Sequence, residues 1–196
     1  MKIAFFCSAS NALDQQYFNL AQQFAIALAQ NNHTLITGGA NVGMMRKISE
    51  KARELNVKTI GIIPKVIFHK ELADHRNHQL IITETMAERK QKIIEHADAF
   101  IALPGGFGTL DELSEVIVYK QLAIIDSPIV IFNFNGFYNN LNKQFEIFFE
   151  NKFAKKKNRD LYLITDSIQK TFEYIHKYKP QQSIDFDWFK VNKENF

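Results

Sequence analysis

The sequence predicts an α/β fold: a doubly wound, mostly parallel sheet with helices on both faces, which is the Rossmann-like three-layer α/β/α arrangement. Two observations predict it. Short apolar runs rich in β-branched and aromatic residues alternate with longer segments of helical spacing. No internal repeat and no linker rich in Pro, Gly or Ser interrupts that alternation. Right-handed crossovers between parallel strands then place helices on both faces.

Each predicted strand is a short apolar run that precedes a turn or a polar segment. In chain order the strands are KIAFFCS (2–8), HTLITG (33–38), VKTIGII (57–63), HQLIIT (78–83), DAFIAL (98–103) and PIVIFN (128–133). Helices are predicted between them, near 11–31, 43–56, 84–97, 109–124 and 137–151. The polar segment 64–77 predicts a surface loop with a short helix.

Length and composition are those of a globular protein with one domain. The chain has 196 residues, of which 46% are hydrophobic and 23% charged. We expect a single nucleotide-binding domain over residues 1–180. Residues 181–196 show no clear period and are expected to form a C-terminal tail.

Charge, hydropathy and cysteine content argue against several classes of protein. A net charge of +3 is too small to indicate a nucleic-acid partner. No apolar stretch approaches the roughly 20 residues of a membrane span, and the first residues do not form a signal peptide. Cys7 is the single cysteine, so a reducing cytoplasm is the expected location.

Three loops with small or glycine residues follow predicted strands: CSASN (7–11), TGGANVG (37–43) and PGGFGT (104–109). Ligands of open parallel sheets bind beyond the carboxyl ends of the strands, where these loops converge. Glycine turns that expose N–H groups there favour a phosphate-bearing ligand, although either loop alone could be a structural turn. Neither the P-loop pattern nor a G-x-G-x-x-G after the first strand is present.

Two Thr-x-x-Glu patterns, at Thr85–Glu88 and Thr109–Glu112, are typical of helix capping boxes. The pattern leaves open whether Glu112 caps a helix or carries chemistry; we expect its backbone to start the helix and its carboxylate to face the ligand. Arg89 lies near the start of a helix at the ligand edge, where a cation opposes the helix dipole unless an anion binds. Lys90 points about 100° away from Arg89 around that helix.

The motifs also resemble those of a known family. PGGFGTLDE (104–112) fits P-G-G-x-G-T-x-x-E, ERK (88–90) precedes it at the usual distance, and TGGANVGMM (37–45) is similar to a glycine-rich loop. From about Met1 to Phe153 the chain resembles the LONELY GUY family of cytokinin riboside 5′-monophosphate phosphoribohydrolases, long labelled lysine decarboxylases. The resemblance implies hydrolysis of the N-glycosidic bond of AMP or an N6-modified AMP, without a cofactor or metal, in a homodimer.

The resemblance also implies which residues form the site. Arg89 and Glu112 would be the catalytic pair. The substrate would contact Gly38, Gly39, Gly43, Glu71, Met86, Arg89, Lys90, Gly105, Gly106, Phe107, Gly108, Thr109, Leu110 and Asp111. The chain departs from the family pattern at Ser8, Ala9, Ala40, Arg46 and Val118, which concerns base preference more than the catalytic pair.

The residues themselves suggest a division of labour. A carboxylate near the anomeric carbon stabilises the oxocarbenium-like transition state and can activate water, which suits Glu112. Arg89 remains protonated, so it can clamp phosphate or ribose but cannot act as a base. Two alternatives remain open: a Rossmann-like protein that binds a nucleotide or cofactor without cleaving it, and a broad-specificity nucleotide nucleosidase in salvage.

Overall fold

A computed structural model describes residues 1–180, which contain one seven-stranded, entirely parallel sheet with the strand order β4-β3-β2-β1-β5-β6-β7. The predicted tail at 181–196 lies outside the described residues. The strands are β1 (Lys2–Phe6), β2 (Thr34–Thr37), β3 (Thr59–Pro64), β4 (Gln79–Thr83), β5 (Ala99–Ala102), β6 (Ile129–Phe132) and β7 (Leu163–Thr165). The predicted α/β class is confirmed.

Seven α-helices connect and cover these strands within the described part of the chain. They are α1 (Gln15–Gln30), α2 (Gly43–Glu54), α3 (Lys65–Phe68), α4 (Met86–His96), α5 (Phe107–Gln121), α6 (Asn139–Glu150) and α7 (Ile168–Lys177). Short 3-10 segments lie at Phe134–Gly136 and Lys156–Leu161. The short helix expected within 64–77 is α3. No helix of residues 1–180 has both the length and the apolar character needed to cross a membrane.

The core lies in two layers, one on each face of the sheet, because side chains alternate along a strand. In β1, Ile3 and Phe5 face the layer filled by α1, α2 and α7, while Ala4 and Phe6 face the layer of α4, α5 and α6. Burial of both faces explains why the strands are nearly continuous apolar runs. The three-layer arrangement therefore follows from strands that carry apolar side chains on both faces of the sheet.

The sequence missed β7 and α7. Only three residues of β7 pair with β6, so the strand is too short to show a pattern. Helix α7 begins at Ser167, whose side chain accepts a hydrogen bond from the Lys170 N–H, and it buries Phe172 and Ile175 against the sheet. This last crossover completes the layer that also holds α1 and α2.

The strand order reverses next to β1, which is flanked by β2 on one side and β5 on the other. The chain therefore leaves β1 in one direction as far as β4 and then crosses to the other side. Such a reversal opens a crevice beyond the carboxyl ends of the two neighbouring strands. The loops after β1, β2 and β5, selected from the sequence, all lead away from this edge.

Candidate active site

A cleft of about 380 Å³ lies at the carboxyl edge of the sheet, where these loops meet the first turns of α4 and α5. It is lined by Cys7, Ser8, Ala9, Gly38, Ala40, Val42, Met45, Pro64, Ile67, Leu72, Met86, Arg89, Gly106, Gly108, Thr109, Asp111 and Glu112. The expected ligand edge therefore carries a cavity of the size that small-molecule sites have.

Arg89 is held in the cleft wall by contacts on three sides of its guanidinium group. Its Nε donates to the carbonyl oxygen of Ile62 at 3.0 Å, and its Nη1 donates to Oε1 of Glu112 at 2.6 Å. Nη2 lies against Gly38, where a β carbon would come within 2.1 Å of it. A guanidinium has five N–H groups, so this arrangement leaves donors for a ligand.

Glu112 is a buried carboxylate in the second turn of α5 and forms an ion pair with Arg89. Burial raises the pKa of Glu112 above the usual range of a glutamate, although the charge and hydrogen bond of Arg89 oppose that rise. The pair thus holds a strong acceptor and a strong donor side by side, both only about a tenth exposed. Close charge pairs of this kind act strongly on a bound ligand because little water screens them.

The capping interpretation of Thr109 and Glu112 is wrong. Helix α5 begins at Phe107 with Gly106 as its N-cap, so Thr109 is the third helical residue and packs on Gly105 instead. The same pattern at Thr85 does cap α4: the Glu88 N–H donates to the Thr85 hydroxyl at 3.1 Å, and Glu88 Oε2 accepts from the Glu84 N–H. The backbone of Glu112 therefore does not start its helix, and its side chain lies in the cleft lining, paired with Arg89, instead of capping the helix.

The turn before α5 is open on its outer side. No other part of residues 1–180 comes within 4 Å of the position that a β carbon would take at Gly106 or Gly108. The first N–H groups of a helix have no carbonyl partner within it, and Gly106 offers no side-chain cap. Open space, unpaired donors and a helix N-terminus together make a site suited to an anion.

The opposite side of the cleft is apolar. Its lining includes Val42, Met45, Pro64, Ile67, Leu72 and Met86. The segment that carries Leu72 is fixed to the β2 loop by an antiparallel bridge between Ala40 and Ala73. Two hydrogen bonds form it: the Asn41 N–H donates to the Leu72 carbonyl, and the Asp74 N–H donates to the Gly39 carbonyl. The wall is thus a defined surface, although it is made of loops.

The structure brings eight predicted site residues together around the cleft and leaves the others outside its lining. Those in the lining are Gly38, Met86, Arg89, Gly106, Gly108, Thr109, Asp111 and Glu112. Those outside it are Gly39, Gly43, Glu71, Lys90, Gly105, Phe107 and Leu110.

Three glycines among the predicted residues outside the lining have evident local roles. Gly39 and Gly43 adopt φ values of +73° and +54°, which side chains rarely tolerate, and so shape the loop before α2. Gly43 also packs on the backbone of Ser8, while Gly105 makes room for the Thr109 side chain. These glycines act through the backbone.

The remaining residues outside the lining are exposed or engaged elsewhere. Glu71 is exposed, and its φ of +56° is unusual for a residue with a side chain. Phe107 is 92% exposed and Leu110 is 37% exposed. Lys90 is engaged by α5, where Nζ contacts Asp111 at 3.0 Å and Glu115 at 3.3 Å.

Sequence reasoning missed several lining residues. Cys7 and Ser8 belong to a loop that was flagged but not assigned; burial raises the pKa of the Cys7 thiol far above its usual range, so it stays neutral. Ile67 and Leu72 lie in the segment expected to be a polar surface loop, where no period marks their inward position. For Cys7 and Ser8, the position at the carboxyl end of a strand was the signal that could have identified them. For Ile67 and Leu72, the sequence offers no such signal.

Comparison with known proteins agrees with this geometry. Residues 45–175 match the family model described as "Possible lysine decarboxylase". The chain is 32% identical over 179 residues to the cytokinin riboside 5′-monophosphate phosphoribohydrolase LOG5 of Arabidopsis thaliana, an alignment that covers 91% of this chain and 78% of that protein. It is 41% identical over 139 residues to the cytokinin riboside 5′-monophosphate phosphoribohydrolase of Mycobacterium marinum, covering 71% and 74%.

Solved structures with the same fold include a carrier protein and a binding protein of the molybdenum cofactor. The molybdenum cofactor carrier protein of Chlamydomonas reinhardtii aligns with a TM-score of 0.69 at 17% identity over 89% of this chain and 95% of that one. The molybdenum cofactor binding protein of Rippkaea orientalis aligns with a TM-score of 0.66 at 22% identity over 89% and 94%. These identities show the fold alone. The relatives above 30% identity decide the family: the chain belongs to the LONELY GUY family of cytokinin riboside 5′-monophosphate phosphoribohydrolases.

Proposed function

We propose that this protein hydrolyses the N-glycosidic bond of a nucleoside 5′-monophosphate, AMP or an N6-modified AMP, to the free base and ribose 5-phosphate. The observation that carries the proposal is the buried Arg89–Glu112 pair beside the open glycine turn of α5. A phosphate in that turn and a reactive carboxylate in the next helical turn are what the reaction requires. The phosphoribohydrolases to which the chain is related support the same reaction class.

The phosphate belongs at the N-terminus of α5. Gly106 and Gly108 leave open space above the turn, and the free N–H groups of the first helical residues point out of it. The Thr109 side chain lies in the cleft lining next to them. An anion bound here also gains from the helix dipole.

Glu112 is placed to act on the ribose that this phosphate delivers. Cleavage of an N-glycosidic bond builds positive charge at the anomeric carbon, and an ionised carboxylate nearby lowers the barrier. The same oxygen atoms can orient or deprotonate the attacking water. The charge of Arg89 favours the ionised form of this carboxylate against the effect of burial, and its remaining donors are available to the phosphate or the ribose hydroxyls.

The base belongs against the apolar wall. Ile67, Leu72 and Met86 offer contacts to a flat purine ring, and the methionine is adaptable in shape. A volume of about 380 Å³ is within the range of small-molecule sites. The wall supports adenine, with or without an apolar N6 substituent, as the base.

We further propose a homodimer and a cytoplasmic location. Exposed apolar side chains recur along one face of α5, at Phe107, Leu110, Val118 and Leu122. A stripe of this kind on a surface helix is typical of a protein interface. The single, buried cysteine suits a reducing compartment.

A panel of nucleotides tests the reaction. AMP, isopentenyl-AMP, GMP and CMP are incubated with the protein, and released base and ribose 5-phosphate are quantified together. We expect both products in equal amounts from AMP or isopentenyl-AMP. Binding of AMP without any release would instead identify a carrier, and comparable rates on all four nucleotides would identify a broad-specificity nucleosidase.

A further inference from the structure

A buried carboxylate anchors part of the apolar wall of the cleft. It belongs to Asp74, in the wall segment (residues 69–78), which joins α3 to β4 and carries the lining residue Leu72. Asp74 is only 2% exposed. Its Oδ2 lies 3.0 Å from Nη1 of Arg53, in the last turn of α2. An ion pair thus ties the wall segment to a helix that packs on the core.

We propose that Asp74 is a positioning residue for base recognition: through Arg53 of α2 it holds Leu72 in the apolar wall and thereby sets the affinity for the base. The proposal rests on the proposed function, because it assigns a role in recognising the substrate of that same site. It places one determinant of base affinity behind the cleft lining, in the contact between the wall segment and α2.

The backbone pairs the wall segment with the β2 loop over a short distance. The Asn41 N–H donates to the Leu72 carbonyl at 2.7 Å, and the Asp74 N–H donates to the Gly39 carbonyl at 2.8 Å. These bonds form an isolated bridge between two loops and are not part of a strand ladder. Leu72 keeps 36% of its surface exposed, so packing holds it only in part. Its position therefore depends on the anchor that follows it in the chain.

Asp74 supplies this anchor with both of its oxygen atoms. Oδ1 accepts hydrogen bonds from the backbone N–H of Arg76 at 3.2 Å and from its Nε at 2.9 Å. Nη2 of Arg76 donates in turn to Oδ1 of Asn41 at 2.7 Å and lies 3.4 Å from Oε1 of Glu50 on α2. The carboxylate therefore connects the turn after the bridge to the β2 loop and to α2, while Oδ2 faces Arg53.

Arg53 makes the loss of this carboxylate costly. Its side chain is 16% exposed, and its two terminal nitrogen atoms have no well-aligned hydrogen-bond acceptor within residues 1–180. Asp74 supplies the counter-charge of this guanidinium group. A buried cation that loses its counter-charge has to gain water or to move. Removing the charge of Asp74 should therefore loosen the wall segment and displace Leu72, two residues away.

The other half of the substrate site has separate support. The anion site at the start of α5 lies across the cleft from the apolar wall, and Arg89 is held by Ile62 and Glu112. A displaced wall should therefore weaken the binding of the base and leave the binding of phosphate and ribose unchanged. Ribose 5-phosphate, which carries both of these groups and no base, separates the two effects.

The experiment compares Asp74→Asn and Arg53→Met, which break the pair from opposite sides, with Arg53→Lys, which keeps the charge. Glu54→Gln is the matched control, because Glu54 also lies at the end of α2 but pairs with Lys51 at the surface, at 2.9 Å. Three properties are measured: kcat and KM for AMP, the inhibition constant of ribose 5-phosphate, and hydrogen exchange of the Asn41 and Asp74 amides. The exchange measurement needs neither substrate nor turnover.

We expect Asp74→Asn and Arg53→Met to raise KM for AMP about tenfold, while kcat and the inhibition constant of ribose 5-phosphate stay within about twofold. The two bridge amides should exchange about tenfold faster or more, because the bridge opens more easily. Combining both changes should raise KM no further than either change alone, since they act through one contact. Arg53→Lys and Glu54→Gln should keep the original values.

Three results would overturn the proposal. In the first, the inhibition constant of ribose 5-phosphate rises in parallel with KM, so that the pair supports the whole site. In the second, Asp74→Asn and Arg53→Met match Glu54→Gln in KM, whatever their amide exchange. In the third, neither of these variants folds, so that the pair supports the entire domain.

Failure of the proposed function would be recognised separately, because the unmodified protein would then cleave no nucleotide. The dissociation constants of AMP and of ribose 5-phosphate, measured by calorimetry, would in that case replace KM and the inhibition constant. Asp74→Asn should still weaken the binding of AMP alone, and equal weakening of both ligands would still overturn the role of Asp74.

Discussion

Gly38 and Arg89 are in direct contact: a β carbon on residue 38 would lie 2.1 Å from Nη2 and 3.2 Å from Cζ of the arginine. Arg89 cannot easily move aside, because Ile62 and Glu112 hold its other nitrogen atoms. Gly38 therefore contributes to the site because its lack of a side chain leaves room for the Arg89 guanidinium group.

We expect Gly38→Ala to displace Arg89 and to reduce kcat/KM for AMP by about 100-fold, because small misplacements of catalytic groups have large effects. The measurement is a double-mutant cycle with Arg89→Ala. In the Arg89→Ala background, adding Gly38→Ala should change kcat/KM by less than about twofold. If Gly38→Ala still reduced kcat/KM by about 100-fold in the Arg89→Ala protein, residue 38 would act independently of Arg89.

Gly108→Ala is the matched control for an added methyl group in the cleft. No other part of residues 1–180 crowds that position, so the variant should fold normally and melt at the same or a higher temperature. It should raise KM more than it lowers kcat, since it narrows the space assigned to the phosphate. An unchanged KM would argue against phosphate binding in this turn.

Glu112→Gln should lose about 10³-fold in kcat, because a neutral amide cannot stabilise the positive transition state. It should also destabilise the fold by about 1–3 kcal/mol, since the buried Arg89 loses its counter-charge. Activity assays and thermal unfolding measure the two effects. Glu88→Gln is the control: that residue caps α4, so stability should change by less than about 1 kcal/mol and activity should persist.

The pH profile of kcat should show an acid limb whose midpoint lies above the ordinary glutamate pKa of about 4.3. Burial raises the pKa of Glu112, and only the ionised form is active, so activity must fall as pH decreases through that raised value. Steady-state rates between pH 4 and 8 on AMP measure it. A limb at or below the ordinary value would mean that another group controls the rate.

Lys120 makes a separate prediction about stability. Burial lowers its pKa to about 8, no described residue accepts a hydrogen bond from Nζ, and the ammonium lies 4.4 Å from the centre of the Tyr178 ring. Lowering from 10.5 to about 8 corresponds to roughly 3 kcal/mol against the charged form. Above pH 8 the folded form releases the proton of Lys120 while the unfolded chain keeps it, so the contribution of Lys120 to the free energy of unfolding should rise with pH up to about 10.

We therefore expect Lys120→Met to be about 1–3 kcal/mol more stable than the unmodified protein at pH 7 and to lose this rise. Urea unfolding from pH 7 to 9.5 measures both. The difference between the two proteins is what is compared, because burial also raises the pKa of Cys7 and of Tyr174. The unfolded chain releases those protons first, from about pH 8.5 upward, which lowers the free energy of unfolding of both proteins alike. Lys92→Met removes an exposed charge and should leave the slope as it is; an equal slope in Lys120→Met would refute the assignment.

The apolar face of α5 predicts the behaviour of one more variant. Val118→Glu places a charge on that face away from the cleft, and we expect it to convert a dimer to a monomer in light scattering after gel filtration. Ile26→Glu is the control, because Ile26 is similarly exposed but lies on α1, across the sheet. If both variants remain dimeric, the interface lies elsewhere.

The sequence predicted those parts of the site that depend on the parallel sheet. Strands that are buried on both faces are visible as apolar runs, and their carboxyl ends must share one edge, so the loops at Gly38 and Gly106 had to meet. The pairing of Arg89 with Glu112 followed from the family motifs and from the helix dipole. None of these inferences required knowledge of how a loop folds.

The parts that were missed lack a local signal. Helix α5 begins two residues before the predicted start, because Gly106 and Gly108 are weak helix formers and hide the true N-terminus. Ile67 and Leu72 line the cleft in a segment that is held by the pairing of Ala40 with Ala73, and such a pairing between two loops leaves no periodicity in the sequence. The two-sided engagement of Lys90 depends on the packing angle of α4 on α5, which the sequence does not encode locally.

The three contacts of Arg89 have a consequence for the thermodynamics of binding. A free arginine side chain loses up to about 2 kcal/mol of rotamer entropy when it is ordered. Here folding has already ordered it, so a nucleotide meets donors in their working orientation and binding bears little of that loss. The site is therefore preorganised, and we expect empty and occupied crystals to superimpose at Gly38, Arg89 and Glu112.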